Sequence, residues 1–408
     1  MAGIGKCNCW NTIRQIGITK KKYKGMSEWK CYKLNEISSL SNGINFDKSA
    51  YTSGVKLIGV SDFKNRIHPD YDSLQEVDSK VVKSGDYLEQ GDIVFVRSNG
   101  NKELVGRCMM IDRDIPVTYS GFCIKLRLKD KKRFEPVFFN YLFRTRQFKN
   151  SMTGTAVGAN IQNLSQSRLG KCEVKVPNIE TQHRIATILS RYDLLIENYQ
   201  KQIKLLEEAA QRLYKEWFVD LHFPGHETTK IVDGVPEGWE KKKVGDITPI
   251  KTGKKDANFG TVDGSYPFFT CSQEPIKAPS YSFDTSAVIL AGNGDFNVKL
   301  YRGKFEAYQR TYVLEPTNEK MLYLLYFCIS ENMNRLATGA SGSTIKFLTK
   351  GMIESLVINE PSISVLDSFN KIVEPIRTQK EKLQSQIRLL TEARDRLLPK
   401  LMNGEIKV

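Results

Sequence analysis

Apolar residues recur at helical spacing over two long stretches of the chain and in short runs elsewhere. In the first stretch Ile185, Ile188, Tyr192, Leu195, Tyr199, Ile203, Leu206, Ala210, Leu213 and Trp217 step by three or four residues. That spacing draws one stripe along a helix. From Ile185 to Trp217 such a helix spans roughly 50 Å at about 1.5 Å per residue. The rhythm contains one extra step of four, from Tyr199 to Ile203. Adding 184 to each number gives Phe369, Ile372, Ile376, Gln379, Leu383, Ile387, Leu390, Arg394, Leu397 and Leu401, so the irregular step recurs and only Gln379 and Arg394 break the stripe. So narrow a stripe packs on another helix in coiled-coil fashion, and the second copy is the obvious partner. Pro375 is expected to kink or start the second helix rather than sit within it.

The offset organises the whole chain. LLEEAAQRLYKEW (205–217) aligns without gaps on LLTEARDRLLPKL (389–401), 389 − 205 = 184, and the same shift carries Pro177 onto Pro361. Upstream, TGTAVGANIQNLS (153–165) matches TGASGSTIKFLT (338–349) with one deletion, and GDIVFVRSNG (91–100) faces SAVILAGNG (286–294). These last two read as strands. Each copy opens on a tryptophan, Trp29 or Trp239. The pattern predicts a mixed α/β domain over 26–178, a helix over 179–221, a Pro- and Gly-bearing linker over 222–238, a second mixed domain over 239–361, and a second helix with a tail over 362–408. Residues 1–25 have no counterpart in the second copy and are read as a loose tail or a misassigned start.

Charge narrows the partners. The 408 residues carry a formal net charge of +15, which attracts polyanions and puts nucleic acid first. No apolar run reaches membrane-spanning length, and the N-terminus lacks the apolar core of a secretory signal. Of the eight cysteines only Cys7 and Cys9 lie close together, without a second pair at zinc-ligand spacing. Scattered thiols fit a reducing cytoplasm, so no metal site is expected.

A specific resemblance rests on GTAVGANIQNLSQSRLGKCEVKVPNIETQHRIATILSRYDLLIENYQ (154–200). A Gly- and Ser/Thr-rich loop leads to "NLS", then an apolar strand ending in Pro177; Gln182, Ile185, Ala186, Leu189 and Asp193 follow at set spacing. This order resembles the specificity subunits of type I restriction-modification systems, and the resemblance runs from Met26 to the C-terminus. The second copy departs from it, with Leu366 where Gln182 would map. The resemblance implies two α/β target-recognition domains alternating with two long antiparallel coiled-coil helices, related by a pseudo-two-fold repeat. It implies double-stranded DNA as ligand, read as two different half-sites with an unread spacer. It also implies docking of two methyltransferase subunits that use S-adenosylmethionine, and of motor-nuclease restriction subunits that use ATP with magnesium. No cofactor is expected in this chain itself.

Base edges favour Arg or Lys for guanine and Asn or Gln for adenine, while phosphates take Lys, Arg and hydroxyls. The loop after the first strand offers Arg97, Asn99, Asn101 and Lys102; its counterpart offers Asn293, Asn297 and Lys299. Lys251, Lys254, Lys255, Arg302 and Lys304 are candidates for a phosphate path, and Asn160, Gln162, Asn163, Ser343, Thr344 and Lys346 lie in the glycine-rich loops. Solvated turns are the bland alternative, since Asn and Gly form turns readily. Catalytic motifs are missing: the sequence holds no methyltransferase N-P-P-Y or D-P-P-Y and no G-x-x-x-x-G-K-[ST] phosphate loop. Pro69-Asp70 with Asp78-Ser79-Lys80 only loosely follows a nuclease pattern, and Pro224-Gly225 breaks any helix that would align His222 with His226. The expectation is a non-catalytic DNA-reading subunit; a coiled-coil adaptor binding only proteins is the rival, and it leaves the positive charge unexplained.

Overall fold

The computed structural model describes residues 29–63, 66–98, 104–153, 163–342 and 346–408; the expectation for residues 1–25 falls outside them. The chain divides into two compact units, Met1–Tyr199 with Gln386–Val408, and Gln200–Ser385.

In the first unit β1 (Lys30–Lys33) leads through the single turn α1 (Leu34–Ile37) to β2 (Ser38–Asn42). Then come β3 (Tyr51–Ile58), β4 (Gln75–Val77), β5 (Ile93–Val96), β6 (Cys108–Met110), β7 (Val117–Tyr119) and β8 (Cys123–Leu128). Helices α2 (Pro136–Arg144), α3 (Arg146–Thr153) and α4 (Gln166–Gly170) precede β9 (Glu173–Val176), which returns to pair with β1, and then the long α5 (Ile179–Tyr214), of which this unit takes the part up to Tyr199. One sheet has the order β2-β8-β5-β6 and another β4-β3-β7. Strand β5 shows why its sequence is apolar throughout. Alternate residues of a strand face opposite ways, and both faces are covered: Ile93 and Phe95 pack with Phe138, Phe139 and Phe143 of α2, while Val94 and Val96 join Phe63, Tyr71 and Met109.

The second unit repeats this plan. After the hairpin β10 (Ile231–Val232) and β11 (Val235–Pro236) come β12 (Glu240–Lys243), α6 (Val244–Ile247) and β13 (Ile250–Thr252). Strands β14 (Tyr266–Phe269), β15 (Ile276–Ala278), β16 (Phe283–Ala291), β17 (Val298–Ala307) and β18 (Thr311–Leu314) follow. Helices α7 (Leu322–Glu331), α8 (Met333–Gly339) and α9 (Lys350–Glu354) precede β19 (Val357–Glu360) and α10 (Ile363–Met402), of which this unit takes the part up to Ser385. The order β13-β18-β16-β17 mirrors β2-β8-β5-β6, and β12 pairs with β19 as β1 does with β9. Where the first unit interrupts its strand between β6 and β7, the second runs straight through as β17. The long helices begin at Ile179 and Ile363, 363 − 179 = 184, the offset seen in the sequence. The expected mixed α+β class with an internal repeat is therefore the architecture observed.

Three details differ from the sequence reading. Leu195 and Ile372, placed on the buried stripe, are 39% and 43% exposed. In the first unit the buried face of α5 instead runs through Gln182, Ile185, Ala186, Leu189, Asp193 and Ile196, because the helix packs on the head as well as on a helical neighbour. Ile188, Tyr192, Tyr199, Ile203, Leu206, Leu213, Ile387, Leu390 and Leu397 are half-buried, and Leu383 is buried. Pro375 lies within α10 rather than at its start. It is exposed, as is Lys371 one turn earlier, so the helical hydrogen bond that a proline cannot donate is lost on the solvent side. The 222–238 stretch holds the β10–β11 hairpin, with Phe223 buried in the core of its unit.

Candidate nucleic-acid interface

Both units build the same loop frame at one end of the central strand. In the first, Arg97 N–H donates to the Phe122 carbonyl (2.7 Å), Leu164 N–H donates to the Arg97 carbonyl (2.8 Å), and Ser98 bridges Asn163. In the second, Gly292 N–H donates to the Arg310 carbonyl (2.9 Å), Leu348 N–H donates to the Gly292 carbonyl (2.8 Å), and Asn293 bridges Phe347. A glycine secures a third contact in each frame. A Cβ on Gly43 would sit 2.2 Å from the Tyr119 carbonyl oxygen, and one on Gly253 would sit 1.9 Å from that of Ala307. Backbone can approach this closely only where no side chain intervenes.

On the second frame several expected side chains converge. Cys271 Sγ donates to Asn293 Oδ1 (2.7 Å), Asn297 Nδ2 donates to the Cys271 carbonyl (3.1 Å), and Lys299 Nζ donates to the Ser272 carbonyl (2.8 Å) and to Asn297 Oδ1. Burial pulls the Lys299 ammonium below its ordinary range. Gln273 Nε2 binds Asp295 at 2.7 Å. Lys255 bridges Tyr308 through its backbone and lays its ammonium over the Phe259 ring, 4.5 Å from the centroid. Lys254, Arg310 and Lys346 are exposed beside this cluster.

The other lysines and arginines nominated in this unit have different settings. Lys251 pairs with Glu315 at 3.1 Å. Lys304 sits over the Tyr281 ring, 4.8 Å from its centroid. Arg302 makes two hydrogen bonds to Glu374 of α10 (2.8 and 3.1 Å) and lies over the Tyr323 ring, a fork-to-fork pair that fixes the head to its helix.

On the first frame Arg97 is half-buried and its guanidinium reaches the Gly121 carbonyl at 3.4 Å, while Asn163 is exposed. Asn99, Asn101, Lys102, Asn160, Gln162, Ser343 and Thr344 lie outside the described residues. The sequence reading missed Phe122, Arg310, Gln273 and Cys271. The loop pairing reveals Phe122 and Arg310, because the turns YSGF (119–122) and AYQR (307–310) share little beyond position, and bonds to Asn293 and Asp295 reveal Cys271 and Gln273.

Away from the loops, each unit joins a segment of α5 to a segment of α10. In the first, buried Asp193 accepts from Tyr141 Oη and from Arg394 Nη1, both at 2.5 Å. Burial, with the Asp193 carboxylate beside it, pushes the Tyr141 hydroxyl far above its ordinary range. Gln182 is buried with both of its polar atoms partnered: Oε1 accepts from Glu135 N–H, and Nε2 donates to the Arg133 and Pro177 carbonyls. Leu366 is buried in an apolar core in the second unit, so the replacement exchanges a polar clamp for packing. There Lys380 pairs with Glu207 at 2.6 Å, and Trp217 packs on Phe369.

Residues 26–208 and 236–385 each match the model of the type I restriction modification DNA specificity domain. The chain belongs to this family. It is 38% identical over 176 residues to the specificity subunit of the type I restriction enzyme EcoDI of Escherichia coli, an alignment spanning 42% of this chain and 39% of that protein. It is 28% identical over 299 residues to the MjaIX specificity subunit of Methanocaldococcus jannaschii, spanning 66% of this chain and 69% of that one. The S subunit of a type I restriction-modification system from M. genitalium shares the fold, with a TM-score of 0.59, 18% identity, and coverage of 93% of this chain and 97% of that chain. Specificity-family membership accounts for the duplicated domain, which the family model matches twice. Among the described residues no helix is long and apolar enough to cross a membrane.

Proposed function

We propose that this chain is the DNA-reading subunit of a type I restriction-modification complex, with each unit reading one half of a split, asymmetric site. One observation carries the reading: the same hydrogen-bonded loop frame is built twice and furnished with different side chains. A duplicated frame suits two half-sites docked by two similar modules, and different furnishing makes the half-sites differ. The net charge of +15 supplies the phosphate attraction such a reader needs. Exposed Lys254 and Lys346, with Lys255, line the second frame for backbone contact.

The chain carries no chemistry of its own in this reading. Two methyltransferase subunits dock on it and hold S-adenosylmethionine, and restriction subunits that use ATP and magnesium join the assembly in the cytoplasm. The test is copurification from the host with a methyltransferase, followed by duplex binding over a salt series. The expected result is a methyltransferase in the complex and an affinity whose logarithm falls linearly with the logarithm of the salt concentration. A chain that purifies with other proteins only, or binds DNA with no salt dependence, contradicts the proposal.

A further inference from the structure

The two loop frames correspond through two matching backbone hydrogen bonds and one bridge each. Arg97 stands where Gly292 does, because each donates to the carbonyl before the last strand of its sheet and accepts from a leucine N–H. Phe122 therefore matches Arg310. Asn163 matches Phe347, since each bridges the next residue of the central strand, Ser98 or Asn293, and 347 − 163 = 184 is again the repeat offset. On either side of the same strand end, each unit thus presents one aromatic and one polar side chain in exchanged order: Phe122 with Asn163, and Phe347 with Arg310.

The exchange is placed where ligand contact is possible. Phe122 is 62% exposed, the most exposed aromatic side chain among the described residues, and Phe347 is 39% exposed. Asn163 and Arg310 are exposed as well. The backbones beneath are held: Ser165 Oγ accepts from Arg168 N–H (3.1 Å) at the start of α4, and Thr349 Oγ1 accepts from Met352 N–H (3.4 Å) at the start of α9. A ringed hydrocarbon kept in water on a fixed turn contributes nothing to the core it leaves. In the major groove it has an apolar target, the thymine methyl group, while Asn pairs with adenine and Arg with guanine.

We infer that Phe122 with Asn163, and Phe347 with Arg310, are the base-reading pairs of the two units, each combining a thymine-methyl contact with a hydrogen-bonding reader of adenine (Asn163) or guanine (Arg310). The inference rests on the DNA-reading function proposed above and adds which residues read which chemistry.

The test uses the full chain assembled with its methyltransferase subunits. The methylated motif of the wild-type complex first defines the site, and competition binding then measures each single-base replacement. Arg310→Ala loses about 5- to 150-fold discrimination at a guanine in one half-site, and Asn163→Ala loses a similar factor at an adenine in the other. Arg310→Gln shifts the preference at that guanine toward adenine, which distinguishes altered reading from damaged folding. Replacing the critical thymine by deoxyuridine, which lacks the methyl group, weakens the wild-type complex and leaves Phe122→Ala or Phe347→Ala, each in its own half-site, indifferent. The inference is overturned if the variants lose affinity evenly while keeping full discrimination, or if the Asn163 and Arg310 effects fall in one half-site. A wild-type complex with no sequence preference would instead overturn the underlying DNA-reading proposal.

Discussion

Arg394 and Asp193, 201 residues apart in sequence, meet at 2.5 Å, and the Tyr141 hydroxyl closes on the same carboxylate from α2. One buried acid thus ties the head of the first unit to segments of both long helices. Removing one partner of a buried pair strands the other in a poorly solvated place. Asp193→Ala is therefore expected to destabilise the first unit by about 3 kcal/mol, and Tyr141→Phe by about 1 kcal/mol. Thermal unfolding of the two variants checks the ranking; equal, negligible effects would count against the tie.

Arg394 also shows where sequence reading stops. It breaks the apolar stripe, yet its guanidinium is the partner that meets the Asp193 carboxylate. Duplication, strand identity and the two long helices were legible because the 184-residue offset and the short apolar runs in 91–100 and 286–294 are properties of the chain alone. The loop partners were not. Phe122 and Arg310 acquire their places only through backbone bonds to residues 25 and 18 positions away, Arg97 and Gly292, and nothing local announces such a bond. Arg302 shows the converse: a lysine- and arginine-rich stretch suggested phosphate contact, and Glu374 claims that side chain.

Gly43 and Gly253 are predicted to be intolerant of even a methyl group. Either replaced by alanine brings Cβ into a carbonyl oxygen of the neighbouring strand, so each loop frame must open. The expected cost is about 1–3 kcal/mol, confined to the unit that carries the change. Hydrogen exchange resolved by peptide would show faster exchange around 292–310 for Gly253→Ala and around 97–122 for Gly43→Ala; unchanged protection in both would refute the close approach.

Cys271 provides a footprint. Its thiol is part of the second loop frame and only partly exposed, whereas Cys31 is exposed on β1. With specific duplex bound, alkylation by N-ethylmaleimide should slow at Cys271 by at least several-fold and remain unchanged at Cys31, as read by peptide mass spectrometry. Equal protection at both sites, or at neither, would place DNA elsewhere.

Acid should loosen the second unit through two glutamates. Hydrogen bonds from Thr285 and Lys251 hold the Glu315 carboxyl below its ordinary value. Burial works against the Glu374 carboxylate, but Arg302 and Tyr323 outweigh it and hold that pKa down as well. A depressed folded-state pKa gives stability that is full above the unfolded value, about 4.3 for Glu, and is lost as pH falls through the lower folded value. Stability of the unit is thus expected to decline below about pH 4, and Glu374→Gln to flatten that decline. A variant with the wild-type acid limb would remove Glu374 from the account.

The most direct test of the central claim is to delete this gene in its host and map adenine methylation across the genome by single-molecule sequencing. The account predicts the loss of one gapped motif with two unlike halves, restored when the gene is returned. Persistence of every such motif in the deletion strain, in a host whose methyltransferase copurifies with this chain, would contradict it.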